Sequence, residues 1–159
     1  MDNFLTVDVE DWFHILDDPA VPAFPDWSGL EARLPQNIEC ILSILDEHKV
    51  KATMFWLGWA AEKHPALVRL CANRGHEIAS HGFSHVLPYK VGRKIFREDI
   101  SRGKKIIEDI TGNEVVGFRA AGFGTTSDTP WLFEEIRAAG FVDINKELMQ
   151  FFEAREQGI

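Results

Sequence analysis

The chain has 159 residues, 45% apolar and 26% charged, which is enough for one domain with its own core and needs no disulfide staples. A net charge of −8 argues against a surface built for the phosphate backbone of nucleic acid, so no nucleic-acid partner is expected. No apolar run approaches the ~20 residues of a membrane span, and "MDNFLTVDVEDWF" lacks the basic and apolar regions of a signal peptide, so the expectation is a cytoplasmic protein.

In chain order, "NFLTVDV" (3–9) reads as a strand. "LDDPAVPAFPDWSG" (16–29) carries three prolines and reads as a long loop. "LPQNIECILSILDEHK" (34–49) has Ile38, Ile41, Leu42 and Leu45 at helical spacing, with Pro35 suited to a first turn. "KATMFWLG" (51–58) is strand-like. "AEKHPALVRLCANRG" (61–75) reads as a helix closing on Gly75. "HEIAS" (76–80) is a short strand, with His76 at its start in a structural role. "REDISRGKKIIEDITG" (97–112) is an amphipathic helix, "EVVGFRA" (114–120) a strand, "SDTPWLFEEIRAAG" (127–140) a capped helix and "FVDIN" (141–145) a last strand. "NKELMQFFEAREQGI" (145–159) has the look of an amphipathic helix. Cys40 and Cys71 fall in helical segments and read as buried, reduced thiols.

Strands separated by helices imply parallel pairing with right-handed crossovers, in an open α/β sheet or part of an α/β barrel. Five strands are too few for a closed barrel of eight. In such folds the functional face lies at the C-terminal ends of the strands. Asp8, Glu10 and Asp11 end the first strand, Trp56 and Gly58 the second, and Arg119 the fourth; Ser80, His81 and His85 follow the third. Each cluster is weak alone, but their convergence at one rim would make a site.

His-x-x-x-His places two imidazoles on one face of a helical turn about 6 Å apart, which suits a shared divalent metal. Asp8 and Glu10 alternate along a strand and so point to the same side. Like charges that close repel unless a cation separates them or one is protonated. One acid can complete a two-His-one-carboxylate metal site while the other acts as base. Arg119 can orient that base through a bidentate pair. The chain lacks GxGxxG, GxxxxGK[ST] and GxSxG patterns, so neither nucleotide binding nor serine hydrolysis is supported. Twelve Phe and five Trp are many for this length. Trp12, Phe13, Trp56 and Trp59 are candidates for stacking on sugar rings, with core packing explaining at least half of them.

"TVDVEDWFH", "TMFWLGWAAEKHPALVRLCANRGHEIASHGFSH" and "VVGFRAAGF" together resemble the polysaccharide deacetylases of carbohydrate esterase family 4, most closely the branch associated with bacterial exopolysaccharide clusters. The resemblance covers positions 4 to about 142. It implies a distorted (β/α) barrel, here incomplete with about five parallel strands and flanking helices. It also implies metal-dependent removal of N-acetyl groups from amino-sugar polysaccharides, with zinc the first expectation among zinc, cobalt, nickel and iron. By the same resemblance Asp8 is the catalytic base, His81 and His85 are metal ligands, Glu10 rather than Asp11 is the metal carboxylate, and Arg119 orients the base. Gly82 stands where the family carries Ser or Thr, and Ala121 where it carries Pro. The family's acid histidine lies in a late motif, and this chain has no histidine after His85. His14 is the remaining candidate near the first strand. The expectation is therefore a single, truncated deacetylase-like domain over 1–159. Its alternative is a catalytically impaired homologue that binds metal or glycan and acts through a partner. An incomplete barrel leaves strand edges uncovered, which invites homo-oligomer formation.

Overall fold

The structure, a computed structural model, describes residues 4–16, 19–123, 126 and 128–144. Five strands form one parallel sheet in the order β1-β2-β3-β4-β5: Thr6–Val9, Thr53–Trp56, Glu77–Ser80, Gly117–Phe118 and Asp143–Ile144. The helices are α1 (Leu34–Glu47), α2 (Gly58–Lys63), α3 (Pro65–Asn73), α4 (Pro88–Thr111) and α5 (Leu132–Ala138). Sequential strands are thus spatial neighbours with helices between them, the incomplete α/β arrangement expected from the pattern. The segment 145–159, read as a helix from sequence, lies outside the described residues.

Several elements differ from the sequence reading for local reasons. The segment 61–75 is two helices, because His64 adopts φ −128° and Pro65 opens a new first turn. The helix expected at 97–112 begins at Pro88, and its two parts meet at Gly92, whose φ of 77° no helical residue shares. The loop 16–29 contains a 3-10 turn over Phe24–Gly29. Cys71 is buried as expected, but Cys40 is exposed on the outer face of α1; both are free thiols.

The core lies between the sheet and the helices. Leu34, Ile38, Leu42 and Leu45 recur at helical spacing and all are buried. They join Met54, Trp56, Leu57, Val68, Ile107 and Ile136 in one cluster. α4 packs against α2, α3, α5 and β3, and so backs the centre of the sheet. Glu135, buried on α5, accepts hydrogen bonds from Arg93 and Arg97 and ties α5 to α4. No helix among the described residues is long and apolar enough to cross a membrane.

Candidate metal centre

Strand register assembles the site. Val9 pairs with Trp56, Trp56 with Ser80, and Ser80 with Phe118, so four strands end in line. The next residues continue the ladder: Leu57 N–H donates to Val9, His81 N–H to Trp56 and Arg119 N–H to Ser80. Glu10, Leu57, His81 and Arg119 therefore emerge in line from β1, β2, β3 and β4. Thr6, Asp8 and Glu10 share one side of β1 by alternation, while Val9 turns into the core.

The two histidines meet without a helical turn. Residues 81–87 form an irregular loop with Gly82 at φ 79° and His85 at φ 55°. That corrects the helical reading of His-x-x-x-His: the loop brings the Nε2 atoms to 3.1 Å, closer than a helix face would. Each ring is fixed from behind. His81 Nδ1 lies 2.8 Å from the Arg119 carbonyl, and His85 Nδ1 lies 2.7 Å from the His14 carbonyl. A carbonyl oxygen only accepts, so both Nδ1 atoms carry the proton and both neutral rings present an Nε2 lone pair. Burial pushes both histidines below their ordinary range, His85 to about 4, with His81 adding to the effect on His85.

Glu10 completes the cluster. Its Oε2 is 3.1 Å from His85 Nε2, yet that buried oxygen accepts no hydrogen bond. One ligand atom each from Glu10, His81 and His85 lies within 4.8 Å of the others. Three acceptors facing one another are an unfavourable arrangement unless a cation or a proton sits among them. Burial, and then the nearby Asp8 charge, raise Glu10 to about 7 in the metal-free chain. Two imidazoles and a carboxylate are a donor set for a divalent transition metal.

Asp8 stands beside this cluster and is held by Arg119. Arg119 Nη1 donates to Asp8 Oδ1 at 2.6 Å and Nη2 to Thr6 Oγ1 at 2.9 Å. The guanidinium also lies 4.2 Å from the Phe55 ring centroid. Thr6 was not singled out from sequence, although Thr-x-Asp-x-Glu on one strand face carries the signal.

Asp11 turns away from the cluster. It caps the 3-10 turn Trp12–His14, and its carboxylate accepts from the N–H groups of Arg33 and Leu34 at the start of α1. His14 is buried at ring-centroid distances of 4.6 Å from Phe13, 4.3 Å from Trp27 and 5.4 Å from Trp59. Burial, together with His85 and His81, pushes it down to about 3. Phe13, Trp56 and Trp59 are core residues; of the four aromatics considered for sugar stacking, only Trp12 is exposed.

A family model described as "Polysaccharide deacetylase" matches residues 23–142. The chain belongs to the polysaccharide deacetylase family. The match includes His81, His85 and Arg119 and begins after Asp8 and Glu10, so the contribution of β1 rests on the geometry above. This deacetylase-family chain is 42% identical over 72 residues to a peptidoglycan-N-acetylglucosamine deacetylase of Bacillus cereus, covering 45% of this chain and 26% of that one. It is 33% identical over 94 residues to a chitooligosaccharide deacetylase of Azorhizobium caulinodans, covering 58% and 44%. The chain thus spans less than half the length of these relatives. Its fold resembles a carbohydrate esterase family 4 pseudoenzyme from Bacillus anthracis, with TM-score 0.66 at 18% identity over 89% of this chain and 41% of that one. It also resembles a family 4 carbohydrate esterase from Streptomyces lividans in complex with acetate, with TM-score 0.63 at 24% identity over 88% and 59%. At such identities the likeness speaks for the fold, and it agrees with the family 4 resemblance read from the sequence motifs.

Proposed function

We propose that the chain is a metal-dependent hydrolase that removes N-acetyl groups from amino-sugar polysaccharides, an exopolysaccharide being the first candidate substrate. The observation that carries this is the convergence of ligand atoms from Glu10, His81 and His85 within 4.8 Å of one another, beside an arginine-held Asp8. Glu10, His81 and His85 would hold the cation, with zinc the first expectation. A divalent cation there would supply Lewis-acid polarisation of an amide carbonyl and of a water molecule. Asp8 is the base that takes a proton as water attacks the acetyl carbon. Arg119 keeps Asp8 Oδ1 engaged and aims the carboxylate, which makes it a positioning residue. The C–N bond then breaks, the nitrogen leaves as an amine, and acetate is released. His14 is a poor acid here, being neutral and enclosed by aromatic rings. We therefore assign the return of the proton to Asp8.

A second reading has its own support. The fold is shared with a carbohydrate esterase family 4 pseudoenzyme from Bacillus anthracis, so it does not by itself require turnover. A catalytically impaired homologue that binds metal or glycan, alone or as an oligomer, fits that likeness.

Zinc content per chain after loading, together with acetate release from an N-acetylglucosamine oligomer, separates the two. Stoichiometric zinc that His81→Ala abolishes, with acetate released, supports the hydrolase. Zinc without acetate selects the second reading. No zinc and no acetate overturns both.

A further inference from the structure

We propose that Asp99, on α4, is a positioning residue that sets the spacing of His81 and His85 for the cation. This rests on the metal reading above. Asp99 is buried behind the loop that carries both histidines. Its Oδ2 accepts from Phe83 N–H at 2.8 Å; its Oδ1 accepts from Ser84 N–H at 2.9 Å and from the Ser84 hydroxyl. One carboxylate thus gathers three donors from two consecutive residues lying between the two histidines.

The other edge of the loop is held by α2. Gly58 N–H donates to the Gly82 carbonyl at 2.7 Å, and Trp59 N–H to the Phe83 carbonyl at 3.0 Å. The carbonyls of 82 and 83 therefore go to α2, and the amides of 83 and 84 go to Asp99. The loop has no helix or strand ladder of its own, so these bonds fix its path. The geometry leaves no room for drift. A Cβ on Gly82 would meet Asp99 Oδ2 at 2.9 Å, and a Cβ on Gly103, one turn after Asp99, would meet the Gly82 carbonyl at 2.5 Å. Arg102 of α4 lies 3.5 Å from the Phe83 ring centroid and closes the same contact.

The loop also carries a cost that something must hold in place. His85 sits at φ 55°, a conformation that residues with side chains adopt uncommonly and at some cost. The carboxylate touches neither imidazole. It acts through the two peptide units between them, and so decides whether two lone pairs already face one point before a cation arrives.

The test is cobalt(II) binding to the metal-free chain, read as affinity and as the visible absorption bands of the bound ion, with thermal unfolding of each metal-free protein alongside. Asp99→Asn presents an amide NH₂ where a backbone N–H now donates, and so breaks part of the clamp. It should weaken cobalt binding about ten- to a hundred-fold and shift the bands, in a chain that still unfolds cooperatively. Ser84→Ala removes only the hydroxyl and should weaken binding by about two- to ten-fold. A folded Asp99→Asn that binds cobalt within two-fold of wild type (about the scatter of such titrations) and with unchanged bands overturns the proposal, whatever its melting temperature. Should Asp99→Asn not fold, Ser84→Ala decides in the same way. If the wild-type chain binds no cobalt, or His81→Ala binds it as well, the metal reading itself fails. If His81→Ala loses binding while Asp99→Asn and Ser84→Ala keep it, only the positioning role fails.

Discussion

Arg119 reaches across the sheet to Asp8, 111 residues away in sequence, and holds it at 2.6 Å. Its second nitrogen binds Thr6 two residues earlier on the same strand, so one planar group spans two acceptors at β spacing. A lysine has no such fork. Arg119→Lys should lower acetate release by about 10- to 100-fold, the loss expected of one charge-assisted hydrogen bond. Asp8→Asn should lower it by about 10²- to 10⁴-fold. Both variants should keep zinc stoichiometry. Steady-state kinetics with parallel metal analysis checks the pair; loss of zinc from Asp8→Asn would move Asp8 into the ligand set.

Asp11 and Glu10 are adjacent acids with different work. Asp11 satisfies N–H groups at the starts of two helical segments. Asp11→Ala should cost about 1–3 kcal/mol in urea unfolding and leave zinc affinity nearly unchanged. Glu10→Ala should do the reverse, removing zinc binding at little cost to the metal-free fold. Exchange of these two phenotypes would reassign the metal carboxylate.

The pH dependence of the metal-free chain carries two opposed contributions. Burial holds His14 at about 3 and His85 at about 4, against 6.5 for a free imidazole. Their stabilisation is present above pH 6.5 and is lost as pH falls toward those values, because the unfolded chain takes up protons first. Glu10 runs the other way. Its folded value of about 7 exceeds the ordinary 4.5, so its contribution is present below 4.5 and lost as pH rises through 7. The two oppose each other between about 4.5 and 6.5, and below 4.5 the histidines act alone. Glu10→Gln removes the opposing contribution, so the metal-free variant should lose stability steadily from about pH 6.5 downward. Urea midpoints across that range check this; parallel curves for the two proteins would refute it.

Gly103 has no chemistry of its own, yet α4 can lie against the histidine loop only because it lacks a side chain. Gly103→Ala should cost about 1–3 kcal/mol by overpacking, despite the better helix propensity of alanine. It should also weaken zinc binding, since what must shift is the Gly82 carbonyl. A neutral or stabilising Gly103→Ala, found by thermal and chemical unfolding, would mean that the loop has slack.

The sequence announced the strands and the rim residues because alternation and strand-helix order are local signals. Asp8, Glu10, His81 and Arg119 sit at strand ends or one residue beyond, where an α/β topology brings distant segments together. What stayed hidden depended on tertiary partners. Asp11 looked like a third site acid until α1 arrived to use it. Asp99 looked like one more charge on an amphipathic helix, and only the loop packed against it gives it a role. The His-x-x-x-His spacing suggested a helix face, but Gly82 and the hydrogen bonds to α2 and Asp99 impose another path. Trp56 and Trp59 resembled sugar platforms because aromatic residues serve cores and ligands alike; their burial assigns them to the core.

The carbonyls that aim the two imidazoles come from opposite flanks of β3: His14 follows β1, and Arg119 follows β4. A chain with only β2, β3 and the helices between them in place would offer two rings with nothing to aim them. Correct aim arrives only when the outer strands have docked, so capture of an ion is a clock for completed assembly. In stopped-flow refolding with cobalt present, colour should develop in the last kinetic phase, after the helical signal has already recovered.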